Sequence, residues 1–268
     1  MSDSSSTVSV GGHSIFVREF GAEGLPPIVL VHGLYGDSST VAPLAERFAD
    51  RFHVIAPDAL GHGHSDHPVD FTLEDQGRVL DGLVAEKGYD SAALVGISLG
   101  SYISAKAAIL EPERVSHLVL VVSKAHGATS SSAAYAERMG FDLANASPAE
   151  TLEFMAGALW SPATSPELRA EITAWQSALD IELTPDERNA IERSVRGFDL
   201  RPELDRITAP TLVISGRDDG LNPPEAGEEV ARHIPGARFE VYENAGHVLA
   251  FEQIDRLVAD VTEFVFGS

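Results

Sequence analysis

The chain has 268 residues, enough to bury about three quarters of its unfolded surface in one large domain. Its 41 acidic residues against 19 basic ones give a formal charge of −22, a surface that repels phosphate backbones and anionic lipids and argues against nucleic acid as a partner. With no cysteine, the chain has no disulfide, no thiol nucleophile and no Cys-type zinc site, which suits a reducing compartment and makes the cytoplasm the expected location.

The first residues, Met1 to Ser6, are polar and read as an unstructured start. They lack a basic region followed by an apolar core, so no signal peptide is expected. Apolar runs such as Leu118–Val122 are strand-sized and far short of a membrane span. Thr7–Val10 and Ser14–Glu19 alternate like two antiparallel strands about Gly11-Gly12. Pro27–His32 is an almost wholly apolar run, the pattern of a strand buried on both faces. A helix over Thr40–Asp50 and a strand over His53–Pro57 follow. Then comes a glycine-rich loop, Asp58 to Asp66. Thr72, with Asp75 three residues on, reads as the N-cap of a helix carrying Leu73, Leu80, Leu83 and Val84.

Ala92–Gly96 is the next strand, and Leu99–Leu110 the helix after it. Between them stands Ser98, with Gly96 two residues before and Gly100 two after, a spacing that permits a tight strand-to-helix turn. Val115–Val122 is another buried strand. From 124 to 205 the rhythm changes. No convincing strand is present, but Ser147-Pro148-Ala149-Glu150 and Thr184-Pro185-Asp186-Glu187 are capping boxes with proline at the first helical position. Ser165-Pro166-Glu167 is a similar helix start. This helical insertion carries both tryptophans, Trp160 and Trp175. Alternation then resumes with Thr211–Ser215, a helix over Pro224–His233, Phe239–Tyr242, and a last helix with Ile254, Leu257, Val258, Val261 and Val265 on one face. Strands alternating with helices imply an α/β architecture with a mainly parallel sheet covered on both sides.

In such a sheet, functional groups gather at the carboxyl ends of the strands. Those ends here hold Gly33, Leu34 and Tyr35; Ser98; Ser123 and Lys124; Gly216-Arg217-Asp218-Asp219; and Asn244-Ala245-Gly246-His247. A hydroxyl, a carboxylate and an imidazole thus fall at separate strand ends in the order Ser, Asp, His. A serine on a sharp turn is a nucleophile if a base can reach it.

On these motifs the sequence resembles the α/β-hydrolase family over about residues 7–266. His32-Gly33-Leu34 looks like its oxyanion loop, Asp58–Asp66 like its D-x-x-G-x-G-x-S-D loop, and Gly96–Gly100 like its nucleophile elbow. Gly216–Pro223 and Gly246-His247 look like its acid and base loops. The resemblance implies a mostly parallel eight-stranded sheet with helices on both faces. It implies a core over 1–123 and 206–268 and a helical cap over 124–205. It implies Ser98 as nucleophile, His247 as base and Asp219 as the acid that orients the imidazole. Asp219 stands three residues after Gly216 and four before Pro223, as the family's acid does, and Asp218 does not. Leu34 and Leu99 would give the backbone N–H groups of the oxyanion hole. Tyr35, Lys124 and Trp160 are candidates for substrate contact. No cofactor and no metal is expected.

The run His62-Gly63-His64-Ser65-Asp66-His67 also fits the H-x-H-x-D-H pattern of metallo-β-lactamase-like hydrolases. Asp58, Gly61 and the order of elements assign it to the hydrolase loop instead. The expected activity is a serine hydrolase cleaving a small to medium carboxylic ester or lactone. Alternatives with the same triad are a carbon–carbon bond hydrolase or a perhydrolase, and a different class is a ligand receptor on a hydrolase scaffold.

Overall fold

The computed structural model describes residues 4–179 and 182–267. Eight strands form one sheet: β1 (Ser4–Val10), β2 (His13–Phe20), β3 (Pro27–Val31), β4 (His53–Pro57), β5 (Ala92–Ile97), β6 (Val115–Val121), β7 (Thr211–Gly216) and β8 (Arg238–Tyr242). Their order is β1-β2-β4-β3-β5-β6-β7-β8. β1 and β2 pair antiparallel, β2 joins β4 antiparallel, and every pairing from β4 to β8 is parallel. The sheet is therefore eight-stranded and mostly parallel, as expected.

The first strand corrects the sequence reading. Ser4, Ser5 and Ser6 are not loose but pair with Glu19, Arg18 and Val17, because an edge strand needs a backbone ladder more than apolar side chains. Residues 1–3, the rest of the expected unstructured start, lie outside the described residues.

Helices follow the strands: α1 (Ala42–Phe48), α2 (Leu73–Glu86), α3 (Leu99–Leu110), α4 (Ser131–Met139), α5 (Pro148–Leu159), α6 (Pro166–Ser177), α7 (Pro185–Ser194), α8 (Pro224–His233), α9 (Leu249–Glu252) and α10 (Ile254–Gly267). Capping boxes start α2 at Thr72, α5 at Ser147 and α7 at Thr184. α4 was not legible in the sequence. α4 to α7 lie between β6 and β7 and form the insertion. The helix expected over Thr40–Asp50 is shorter, because Ser38–Val41 is a 3-10 turn capped by Asp37.

Alternate residues of the central strands feed two cores. Val29 and Val31, Leu94, Leu118 and Leu120, and Val213 pack on one face with Leu83 and Ile103 of α2 and α3. Ile28 and Leu30, Val95, Val119 and Val121, and Ile214 pack on the other with Phe48 of α1 and Leu257 and Val261 of α10. Each such side chain removed from water stabilises the fold by about 1.5–3 kcal/mol. No helix among the described residues is long and apolar enough to cross a membrane.

The chain leaves β3 for β4 on one side and then returns to place β5 on the other. That reversal opens a crevice at the carboxyl ends of β3 and β5, the usual place for a site in an open parallel sheet.

One buried group works against the core. Asp81 on α2 is 6% exposed, and its Oδ2 has no hydrogen-bond partner among the described residues. Burial, and then the charge of Glu111, push its carboxyl up from 3.8 to about 8. The folded protein therefore keeps a proton there that the unfolded chain releases, and stability falls as pH rises between those values. Asp81→Asn is expected to raise the melting temperature at pH 8–9 and to change it little near pH 4. A gain independent of pH would show that the carboxyl is not held protonated.

Candidate active site

The register of the sheet brings the first two parts of the site together. Val31 pairs with Gly96, so the segment after β3 runs alongside the turn after β5. A Cβ placed on Gly33 would come to 3.7 Å from the Ser98 Cβ. Ser98 itself has φ 53° and ψ −113°, a backbone few side chains adopt. The turn is that tight because α3 starts at once. A Cβ on Gly96 would collide with the Gly100 carbonyl, and one on Gly100 with the carbonyl of Val31. The strained residue is tied down by its N–H, which donates to Val121 O at 2.9 Å. Ser101 Oγ donates to Ser98 O at 2.6 Å and bonds Ser123 Oγ at 2.9 Å. Ser101 thus braces the turn.

The other two parts arrive from β7 and β8, two and three strands away. At ~4.8 Å per strand, the His247 loop must reach back ~14 Å across the sheet. It does so: His247 Nε2 lies 2.9 Å from Ser98 Oγ, and His247 Nδ1 lies 2.8 Å from Asp219 Oδ2. A carboxylate can only accept, so Nδ1 carries the proton and Nε2 is left to accept from the serine hydroxyl. Asp219 is 3% exposed, and its Oδ1 accepts from the N–H groups of Leu221 and Asn222 at 2.8 and 2.9 Å. Asp218 does not reach the imidazole. Its Oδ2 accepts from Ser161 Oγ at 2.6 Å.

Leu34 and Leu99 flank the serine. His32 is fully buried; its Nδ1–H donates to Gly33 O at 2.8 Å, and its Nε2 accepts from Ala59 N at 3.0 Å. Gly36 N donates to the same Gly33 carbonyl at 3.1 Å. In a trans peptide the N–H points opposite to the C=O. Two donors drawing the Gly33 carbonyl one way turn the Leu34 N–H the other. Leu99 is the first residue of α3, where N–H groups have no partner within the helix. Leu34 is 43% exposed beside the serine.

The remaining expected residues are engaged by the insertion. Tyr35 hydroxyl donates to Glu192 Oε1 on α7, and Arg188 stacks over its ring at 4.9 Å. Burial, then the Glu192 bond, raise the phenol's pKa. The hydroxyl is thus a clasp between insertion and core. Lys124 donates to Thr129 O at 3.3 Å, and burial lowers its ammonium's pKa. Trp160 is 9% exposed at the end of α5, with Arg169 over its ring at 5.9 Å.

Two site residues were missed in the sequence. Asn222 Nδ2 donates to Tyr102 Oη at 2.8 Å and to Val122 O at 2.7 Å, while its Oδ1 accepts from Ser131 Oγ at 2.8 Å. The same Asn222 N–H binds Asp219, so one residue joins acid, insertion and Tyr102. Burial raises the Tyr102 phenol's pKa. The family-like spacing identified Asp219 but carried no signal for either neighbour.

A family model described as alpha/beta hydrolase fold matches residues 26–253. The chain is 27% identical over 276 residues to proline iminopeptidase PfmaB of Pestalotiopsis fici, covering 95% of this chain and 96% of that protein. It is 30% identical to a 2-hydroxy-6-oxononadienedioate/2-hydroxy-6-oxononatrienedioate hydrolase of Cupriavidus pinatubonensis, covering 88% and 86%. Among solved structures it resembles a thermophilic esterase from Thermogutta terrifontis, with a TM-score of 0.78, 28% identity and 98% of each chain covered.

The histidine run after β4 does not converge on a metal-like cluster, and no group of three or more potential ligands occurs among the described residues. His64 is mostly exposed beside Asp58, and His67 turns to Glu187 of α7. His62 is buried edge-on against His32, with ring centroids 5.1 Å apart, and its Nε2 has no partner among the described residues. Burial, then the neighbouring His32, lower its pKa from 6.5 to about 3. The unfolded chain takes up that proton first, so stability falls as pH drops from 6.5 towards 3. Replacing His62 with leucine removes this titration. His62→Leu is expected to shift the acid-unfolding midpoint, followed by circular dichroism, to lower pH; an unmoved midpoint would contradict it.

Proposed function

The chain belongs to the alpha/beta hydrolase fold family, and from that premise we propose that it is a serine hydrolase acting on a small to medium carboxylic ester or lactone under a helical cap formed by residues 124–205. The observation that carries this reading is the unbroken bonded series from Asp219 through His247 to Ser98.

In the proposed reaction Ser98 Oγ attacks the acyl carbon while its proton passes to His247 Nε2. The imidazolium so formed is stabilised by the Asp219 carboxylate at Nδ1. The Leu34 and Leu99 N–H groups take the negative oxygen of the tetrahedral intermediate, an interaction whose loss typically costs about 10²–10³ in turnover. Collapse of the intermediate breaks the bond to the leaving alcohol, which receives the proton from His247. Water then enters, gives a proton to His247 and attacks the acyl carbon. The carboxylic acid leaves and the proton returns to Ser98.

The relatives named above include an iminopeptidase, a hydrolase of 2-hydroxy-6-oxo acids and an esterase, so family membership alone leaves the scissile bond open. The likeness to an esterase at 28% identity supports the ester reading. A receptor without turnover has less support, because the hydrogen bonds from Asp219 to His247 and from Ser98 to His247 are both formed.

A fluorophosphonate label is expected to map to Ser98, and Ser98→Ala to lose about 10⁶ in turnover. Asp219→Asn is expected to lose about 10⁴, whereas Asp218→Asn keeps most of the rate because an amide oxygen still accepts from Ser161. A panel of esters, lactones, aminoacyl amides and 2-hydroxy-6-oxo acids would rank the bonds. Appreciable turnover by Ser98→Ala would end the serine reading, and a preference for the amides or oxo acids would end the ester one.

A further inference from the structure

The His247 loop crosses the sheet to reach Ser98. Ala245 and Leu249 seat it in the core, and Asp218 N donates to Ala245 O at 2.9 Å. Beside His247 itself the loop is fastened by Glu252. Gly246, the residue before His247, donates its N–H to Glu252 Oε2 at 2.6 Å. The other carboxylate oxygen, Oε1, accepts from Ser161 N at 2.9 Å and from Thr164 Oγ1, both in the insertion between α5 and α6. Glu252 makes no ion pair among the described residues. Its charge is met by hydrogen-bond donors alone, which are stronger to a carboxylate than to a neutral acceptor.

The same contact is closed from the other side. Val248 N donates to Leu159 O at 3.2 Å. Gly246 is pressed so closely on this segment that a Cβ there would collide with the Leu159 carbonyl. Ser161 is completely buried, and its hydroxyl reaches Asp218 in the acid loop. Arg169 braces the segment from α6, its Nε donating to Thr164 O at 3.1 Å and its Nη2 to Ser161 O. Residues 159–164 are therefore wedged between the loops that carry Asp219 and His247, with Glu252 on the far side.

We propose that Glu252 is a positioning residue that locks the His247 loop to residues 159–164 of the insertion, so that the reach of His247 to Ser98 depends on where the insertion sits. This rests on the reading of Ser98 and His247 as nucleophile and base. It makes the insertion part of the machinery that aligns the imidazole, in addition to any part it plays in admitting substrate. Asp218, excluded from the imidazole, becomes the second anchor of the same segment.

The test uses the full-length protein and a small activated ester whose acyl group makes few contacts. A misplacement of about 1 Å in a reacting group can cost about 10²-fold. Glu252→Ala is expected to lower kcat by about that factor with KM little changed, and to slow fluorophosphonate labelling of Ser98 in parallel. Glu252→Gln keeps the shape but turns an N–H₂ towards one set of donors, and is expected to lower both rates by a smaller factor. Thr164→Val removes one donor from the insertion side without touching the His247 loop. It should lower kcat alone, and its effect should not add to that of Glu252→Gln. Melting curves supply the folded fraction, and if Glu252→Ala does not fold, the other two variants carry the test. Wild-type kcat and labelling rate in Glu252→Gln and Thr164→Val, or losses no larger than the unfolded fraction, would overturn the proposal while leaving the serine reading intact. Turnover by Ser98→Ala would instead bring down the reading on which it rests.

Discussion

The strained turn at Ser98 is the constraint on which the site depends. A non-glycine residue at φ 53° costs on the order of 1–3 kcal/mol and persists only where its surroundings leave no alternative. Here the surroundings are backbone on every side. Gly100 lies against the carbonyls of Val31 and His32, and Gly96 lies against Gly100. β5 is paired on both flanks, so it cannot relax sideways. The hydroxyl is consequently lifted above the end of the sheet, and α3 begins beside it at Leu99.

A second layer of buried polar groups keeps the facing loop in place. Asp58 is fully buried and accepts from Ser38 N at 2.7 Å and His64 N at 2.8 Å, while Ser65 Oγ donates to Asp58 O at 2.6 Å. With His32 bonded to Gly33 O and Ala59 N, the loops after β3 and β4 form one hydrogen-bonded unit. Buried polar groups stabilise only when satisfied, and this unit is satisfied where it borders the serine. His62 Nε2, in the loop after β4, and Asp81 Oδ2, on α2, have no hydrogen-bond partner among the described residues.

Part of the acidic excess joins the insertion to the rest of the chain. Glu192 takes the Tyr35 hydroxyl, Glu187 faces His67, Asp218 takes Ser161, and Glu252 takes Gly246, Ser161 and Thr164. Arginines work in the opposite sense, with Arg193 donating to Val69 O and Arg138 to Gly220 O. The insertion is thus fastened to the core by carboxylates accepting from hydroxyls and backbone N–H groups, together with the apolar packing of Leu183, Ala190 and Ile191. Such bonds are directional, so they set position as well as adding stability.

The sequence by itself determined what short-range physics governs. β4, α3 and α8 begin and end where their apolar runs and helix signals place them, and the caps at Thr72, Ser147 and Thr184 bond only three residues ahead. Ser98, His247 and the pair Asp218-Asp219 were legible because the end of a parallel strand is a place the pattern itself marks, and the family-like spacing to Gly216 and Pro223 favoured Asp219. α4 escaped because its start lies inside the serine run Ser130–Ser132 and lacks the proline-led start of α5, α6 and α7, and Ser4–Ser6 because pairing with β2 overrode their polar composition. Only the tertiary structure decided the rest. Tyr35 meets Glu192 across 157 positions, Asn222 meets Tyr102 across 120, and Glu252 meets Ser161 across 91. A contact between residues that far apart is set by how the sheet is ordered and how the insertion folds back over it, and leaves no periodicity or spacing in the chain to read.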